Sequence, residues 1–418
     1  MSQRFSLFRG NNSIKQKVIR LLLVFMLAFG LFASSGAGPN VPAVQAADST
    51  NQIVVQLLPG QDILGLKTLL NTLVNNVVIK TLSLDDTYLL TLPLGALLGP
   101  ILTILNLSPL VVFAEPNYKL YATEAQQAFI YYDTGSALQG GNSNPDAVQA
   151  AQDQWAWQRI DLARSQNVSE GQNVTVATLD TGVNANHPAI KDQLVPGYNA
   201  LTGSTDATDD NGHGTFVAGV ISQVAPDASI MPVKVLNNLG QGTVADASEG
   251  ILWAANHNAH VINMSLGLYT NSILLQLSIN YAQVRGDLVV ASAGNSNTGS
   301  RRYPASYPGV IGVAATDSNN HKASFSNYGS NAKVSAPGVH IYSAYYTGGY
   351  AYGDGTSFAA PQVAALAAQV WATTPNSTSN TVSNQILGNA ASLAASDPTY
   401  GSKLGAGLIN NFKAVGGS

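Results

Sequence analysis

The chain has 418 residues, of which 45% are hydrophobic and only 10% charged, with a formal net charge of −4. Disordered chains pair low hydrophobicity with high net charge, so this composition points to buried cores, two or three at this length. The acidic balance excludes a basic nucleic-acid-binding domain. The absence of cysteine excludes disulfide scaffolds, cysteine catalysis and thiolate metal sites.

The amino-terminal segment carries Arg4, Arg9, Lys15, Lys17 and Arg20 and no acid before Asp48. An apolar run, Leu21–Ala33, is followed by small residues up to Val44-Gln45-Ala46-Ala47. A basic start, a short apolar core and a small-residue cut make a secretory signal peptide over residues 1–46. The run is short against the roughly 20 residues that span a membrane; an uncleaved anchor is the alternative. The chain is therefore expected to be secreted, with retention at the cell surface left open.

Residues 47–123 read as strand Ile53–Leu57, helix Ile63–Leu73, strands Val77–Ser83 and Tyr88–Leu92, helix Leu94–Leu105 and strand Val111–Ala114. This order fits a small ferredoxin-like α+β domain. Residues 124–152 are polar, with Gly135, Gly140-Gly141 and Asn142 to Pro145, and read as a linker or an amino-terminal extension of the next domain.

From residue 153 to 418 the pattern changes. Short β-branched runs at Val174–Leu179, Ile230–Leu236, His260–Met264, Leu288–Ala291, Val310–Ala314 and Lys333–Ala336 predict strands. Helical patterns cover Thr215–Gln223, Val244–Asn256, Ile273–Arg285 and Ser357–Thr373. Continuous apolar strands alternating with helices predict an α/β fold, a parallel sheet with helices on both faces. Functional groups in such sheets gather beyond the carboxyl ends of the strands.

Three glycine-flanked segments carry chemistry: Leu179-Asp180-Thr181-Gly182 ends a strand, and Gly212-His213-Gly214-Thr215 and Gly355-Thr356-Ser357-Phe358-Ala359-Ala360-Pro361 each open a helix. A serine hydroxyl becomes a nucleophile when a base takes its proton, and the base needs a carboxylate to fix its tautomer. Residue by residue, each has another reading. The Asp-Thr-Gly triplet also admits an aspartic-protease or turn-capping role for Asp180, His187 competes with His213, and Ser357 also suits a helix N-cap.

The order Asp180, His213, Ser357, at gaps of 33 and 144 residues, resembles the subtilase family of serine peptidases. Further matches are Gln154-Trp155, His187-Pro188, Val233–Leu236, Ser265-Leu266-Gly267, Ala293-Gly294-Asn295 and Ala336-Pro337-Gly338. The resemblance implies Ser357 as nucleophile, His213 as base, Asp180 as its orienting carboxylate and Asn295 as oxyanion donor. It implies that Gly240, Gln241 and Gly242 on one side and Ser265, Leu266 and Gly267 on the other flank an extended substrate, with Ala293, Gly294 and Arg302 at the acyl-side pocket. His187 matches a family histidine without a catalytic role. The segment Ala114-Glu115-Pro116-Asn117 resembles the end of a subtilase propeptide, making residues 47–123 an intramolecular inhibitor.

The resemblance thus implies a self-processing zymogen that hydrolyses peptide bonds of protein or peptide substrates through an acyl-enzyme. A chain that keeps this fold only for binding is the rival reading, and the complete catalytic set argues against it. The protein is expected to be a monomer with no nucleic-acid partner. Phe358 stands where many members have Met, and Phe216 and Gln362 where His is frequent. The Gly219–Pro226 connection is short where many members insert calcium ligands. No cofactor is expected to be required; calcium stays open, with Asp206, Asp209 and Asp210 as nearby oxygen donors. Arg302 precedes Tyr303-Pro304, a position that the resemblance implies is near the pocket base. Pointing inward it would favour Glu, Asp or a small residue, and pointing outward it would leave the pocket apolar.

Overall fold

A computed structural model describes residues 49–74, 76–123, 130–132 and 145–417. The expected signal segment lies outside the described residues.

The first elements are β1 (Ser49–Leu57), α1 (Ile63–Leu73), β2 (Val78–Thr81), β3 (Thr87–Thr91), α2 (Leu98–Leu107) and β4 (Val111–Ala122). Leu66 and Leu70 of α1 and Ile101 and Leu105 of α2 are each four residues apart, so each pair lies on one helical face. Those faces cover Ile53, Val55, Leu57 and Leu90 of the sheet. Asp62 caps α1, its Oδ1 accepting from the backbone N–H groups of Leu64 (2.8 Å) and Gly65 (3.1 Å). Helix α2 starts four residues later than the apolar pattern suggests, because Gly95 adopts φ +83°, which no right-handed helix accommodates.

Strand β4 runs 12 residues, far past the predicted Ala114. Its first part pairs antiparallel with β1, from Leu57↔Val111 to Ser49↔Tyr118. Its last part pairs with strands of the larger α/β fold, and only that pairing keeps it extended.

The chain continues through β5 (Ile130–Tyr132), α3 (Pro145–Gln152), α4 (Trp155–Arg159), α5 (Leu162–Gln166), β6 (Thr175–Asp180), β7 (Tyr198–Asn199), α6 (His213–Val224), β8 (Ser229–Lys234), β9 (Gln241–Thr243), α7 (Val244–Asn256), β10 (Val261–Met264) and β11 (Leu266–Gly267). Then come α8 (Ile273–Arg285), β12 (Leu288–Ser292), β13 (Ile311–Thr316), β14 (Val334–Pro337), β15 (Ile341–Ala344), β16 (Tyr350–Gly353), α9 (Thr356–Thr373), α10 (Ser379–Gly388) and α11 (Asn411–Ala414).

Seven strands form one parallel sheet in the order β14-β13-β12-β10-β6-β8-β7. All four residues of β10 and all five of β12 are buried, as expected for strands covered on both faces. One face packs against Phe216, Val217 and Val220 of α6 and Val363, Leu366 and Val370 of α9. The other packs against Ile251 and Ala254 of α7 and Leu275 and Ile279 of α8. From β6 the chain lays β7 and β8 on one side and β10 on the other, so Asp180 ends the strand at which the winding reverses.

Hairpin β15–β16 falls in a Gly/Tyr-rich segment without a clean alternation, and the sequence reading missed it. Strand β5 joins this hairpin and α3 packs near it, so parts of the 124–152 stretch are built into the fold.

Candidate active site

Asp180 and His213 are almost fully buried, at 1% and 3% exposure, and His213 Nδ1 lies 2.7 Å from Asp180 Oδ1. The Thr181 N–H also donates to that oxygen at 2.7 Å. The contact follows from topology: β6 delivers the carboxylate at its carboxyl end, and α6 begins with the histidine directly above it. Asp209 fixes the start of α6. Its Oδ2 accepts from the Thr215 N–H and hydroxyl at 2.9 and 2.6 Å, and its Oδ1 from the Gly212 N–H at 2.9 Å.

Ser357 is fully buried in the first turn of α9. Its hydroxyl donates to the Ser265 carbonyl at 3.1 Å, and the Ser265 hydroxyl donates back to the Ser357 carbonyl at 2.9 Å. Phe358 packs its ring 5.7 Å from the His213 imidazole, so the starts of α6 and α9 meet at the same place. Asn295 follows β12. Its Oδ1 accepts from the Thr356 N–H at 3.0 Å and the Thr356 hydroxyl at 2.8 Å. With the amide oxygen held there, the NH₂ group is turned to the opposite side.

The tail of β4 lies between the two predicted edges. Leu120 pairs with Gly242 and Tyr121 with Gln241 on one side; Tyr121 pairs with Gly267 and Ala122 with Leu266 on the other. The Ala122 N–H donates to the Gly240 carbonyl at 2.9 Å, and the Thr123 N–H to the Ser265 carbonyl at 3.3 Å. Ala293 is buried, and its carbonyl accepts from Asn327 Nδ2 at 2.9 Å. Arg302 lies beside Gly267 and Gly294, with its Nη2 3.3 Å from the Gly267 carbonyl.

His187 stands apart from Ser357. Its Nε2 is 2.8 Å from the Gly349 carbonyl and its Nδ1 accepts from the Ala189 N–H at 3.2 Å; burial draws its pKa below the usual histidine range, against the opposing pull of the Gly349 carbonyl. Both nitrogens are thus committed to holding a loop. Each of the three nearby aspartates has protein partners. Asp209 is taken up by the Gly212 and Thr215 donors, Asp210 by Lys234 Nζ at 2.6 Å, and Asp206 by the Thr208 hydroxyl at 2.6 Å. Among the described residues no group of three or more histidine or acidic side chains could hold a metal.

Sequence reasoning missed three residues: Thr356, whose hydroxyl meets the Asn295 amide oxygen at 2.8 Å, Ser292, whose hydroxyl lies 2.6 Å from that of Thr123, and Tyr269, whose ring centroid is 5.3 Å from the Arg302 guanidinium. Thr356 had a signal, a hydroxyl beside Ser357. Ser292 had a weaker one, its position at the carboxyl end of a buried strand. Tyr269 had none.

Known proteins resemble this chain in sequence and in fold. A profile of the subtilase family matches residues 171–407. The chain is 39% identical to thermitase of Thermoactinomyces vulgaris over 272 residues, 63% of this chain and 95% of that protein. It is 40% identical to Subtilisin Savinase of Lederbergia lenta over 266 residues, 61% of this chain and 96% of that protein. The crystal structure of fervidolysin from Fervidobacterium pennivorans, a keratinolytic enzyme related to subtilisin, superposes with a TM-score of 0.74 at 25% identity. That likeness covers 90% of this chain and 62% of fervidolysin. No helix among the described residues is long and apolar enough to cross a membrane. The chain belongs to the subtilase family and is a serine endopeptidase acting on peptide substrates.

Proposed function

We propose that this protein is a secreted endopeptidase made as a self-processing zymogen, with residues 1–46 as signal and 47–123 as inhibitory propeptide. The observation that carries the reading is a shared acceptor. The Ser265 carbonyl accepts from the Thr123 N–H at 3.3 Å and from the Ser357 hydroxyl at 3.1 Å. The end of β4 therefore lies as a substrate strand with the Thr123 peptide group beside the nucleophile. Glu124, the next residue in sequence, lies outside the described residues.

Ser357 Oγ attacks the Thr123 carbonyl carbon while His213 takes the hydroxyl proton on Nε2. Asp180 accepts from Nδ1–H, fixes the tautomer and stabilises the imidazolium. The carbonyl oxygen becomes an oxyanion and receives the Asn295 NH₂ group and the Ser357 N–H, where the dipole of α9 favours negative charge. Collapse breaks the Thr123–Glu124 bond, and His213 returns its proton to the leaving amine. Water, deprotonated by His213, then releases the Thr123 carboxylate and restores Ser357. Peptide substrates follow the same course. Every group in the sequence comes from the chain itself, so the proposal calls for no cofactor.

Two measurements test the reading. A fluorophosphonate should add mass to Ser357. The Ser357→Ala protein, expressed alone, should remain a single uncut chain. Separation at the wild-type rate would overturn self-processing, and an unlabelled wild-type protein without peptidase activity would overturn the enzyme itself.

A further inference from the structure

The family resemblance puts Ala293, Gly294 and Arg302 at the acyl-side pocket. Arg302 is only 7% exposed, so its side chain points inward. Its stem runs between two glycines of the pocket walls. A Cβ on Gly294 would stand 2.5 Å from Arg302 Cδ, and a Cβ on Gly267 2.9 Å from Arg302 Nε. The guanidinium reaches the Gly267 carbonyl at 3.3 Å and lies 5.3 Å from the Tyr269 ring centroid. Burial alone would raise the Tyr269 phenol. Hydrogen bonds with Ser296 and Asn327 and the Arg302 cation hold it below its usual range, so this corner is a polar cluster. The Arg302 stem thus takes up the space beside Gly267 and Gly294.

The Thr123 side chain lies against Ser292 and Ser265. Its hydroxyl is 2.6 Å from Ser292 Oγ, at the end of β12, and 3.4 Å from the Ser265 carbonyl. Ser292 is fully buried, so few other partners can reach its hydroxyl.

We propose that Ser292 and Arg302 set the specificity of this pocket: it takes threonine or serine on the acyl side of the cut, Ser292 pairing with the β-hydroxyl and Arg302 excluding aromatic and long aliphatic side chains. This rests on the reading of Ser357 as nucleophile and of β4 as a seated substrate strand. The selection has two separable parts. One hydrogen bond to a buried partner is worth roughly threefold to tenfold, so threonine should exceed its isostere valine by that factor. Exclusion by volume should be larger, because a core already filled does not admit another ring.

The test is a set of peptides differing only at the acyl-side residue, cut by mature enzyme whose active sites are counted with a fluorophosphonate. Wild type should cut after threonine roughly threefold to tenfold better than after valine, and more than about tenfold better than after phenylalanine or leucine. Ser292→Ala should equalise threonine and valine and leave phenylalanine poor. Arg302→Met, which keeps volume and removes charge, should still exclude phenylalanine, whereas Arg302→Gly should raise phenylalanine cleavage by about tenfold or more. The proposal is overturned if wild type prefers phenylalanine or leucine, if Arg302→Met admits phenylalanine, or if Ser292→Ala leaves threonine ahead of valine. A wild-type preference for glutamate or aspartate over threonine overturns it too, since the cation would then select. Should Arg302→Gly fail to fold, the wild-type ranking and the Ser292→Ala and Arg302→Met proteins still decide. Absence of both labelling and cleavage refutes the peptidase reading, whereas labelled enzyme with another ranking refutes only the pocket.

Discussion

The Thr356 hydroxyl holds Asn295 by its amide oxygen at 2.8 Å, and the Gly294 N–H donates to the same hydroxyl at 3.1 Å. Thr356 thereby ties the start of α9 to the loop after β12 and decides which way the Asn295 amide faces. Asn295→Ala should lower kcat by about 10²–10³, the loss known for removing one such donor from subtilisin, with KM little changed. Thr356→Val keeps the shape and removes the tie, so it should lower kcat by a smaller factor, again without raising KM. Steady-state kinetics on both variants check this; a rise in KM at constant kcat would make Thr356 a substrate-binding residue instead.

Glu115 of β4 caps a helix of the α/β fold. Its carboxylate accepts from the Ser272 hydroxyl at 2.7 Å and from the N–H groups of Ile273 and Leu274, both at 2.9 Å, at the start of α8. Asn117 does the same for α7, accepting from the Ala245 N–H at 3.0 Å. Burial raises the Glu115 pKa and its three donors oppose that rise; each hydrogen bond contributes about 0.5–1.5 kcal/mol even to a neutral acceptor. Glu115→Ala in a separately added 47–123 fragment should therefore weaken inhibition of the mature enzyme by at least about tenfold. Inhibition at undiminished strength would show that the pairing of Leu120 to Ala122 with β9 and β11 suffices.

Phe358 packs against Phe216 with ring centroids 4.2 Å apart, and neither carries a thioether beside Ser357. Peroxide should leave activity intact under conditions that convert an exposed methionine to its sulfoxide. Met264, fully buried at the end of β10, is the nearest sulfur in the chain sequence to Ser265. Inactivation accompanied by one added oxygen on Met264 would contradict the prediction.

Asp287, just before β12, makes stability depend on pH. It follows the left-handed Gly286 that ends α8, is 5% exposed, and its Oδ2 has no hydrogen-bond partner among the described residues. Burial raises its pKa from 3.8 to about 7, with Arg285 opposing. The unfolded chain gives up this proton near pH 4 while the folded protein keeps it to about 7, so stability falls as pH rises through that window. A shift of this size corresponds to roughly 4 kcal/mol between the two forms. Asp287→Asn, in a Ser357→Ala background that prevents autolysis, should match its parent's melting temperature at pH 4 and exceed it at pH 8. Equal melting temperatures at both pH values would remove Asp287 from the account.

The groups proposed to be catalytic stand out in the sequence because each sits in a local motif. A strand ending in Asp180 and helices opening with His213 and Ser357 are set by neighbours within a few residues, and strand and helix periods are local as well. The apolar runs also gave the parallel sheet, since strands buried on both faces must be apolar throughout. Three features needed the tertiary structure. Strand β4 reaches Ala122 only because β9 and β11, over 100 residues away, supply its hydrogen-bond partners. Tyr345, Gly349 and the residues around them make a hairpin that no period-two pattern announced. The direction of Arg302 was open until Gly267 and Gly294, on two different connections, were seen to leave room for its stem. In each case the deciding contact joins residues distant in sequence, and an extended backbone or a long side chain takes its conformation from that contact.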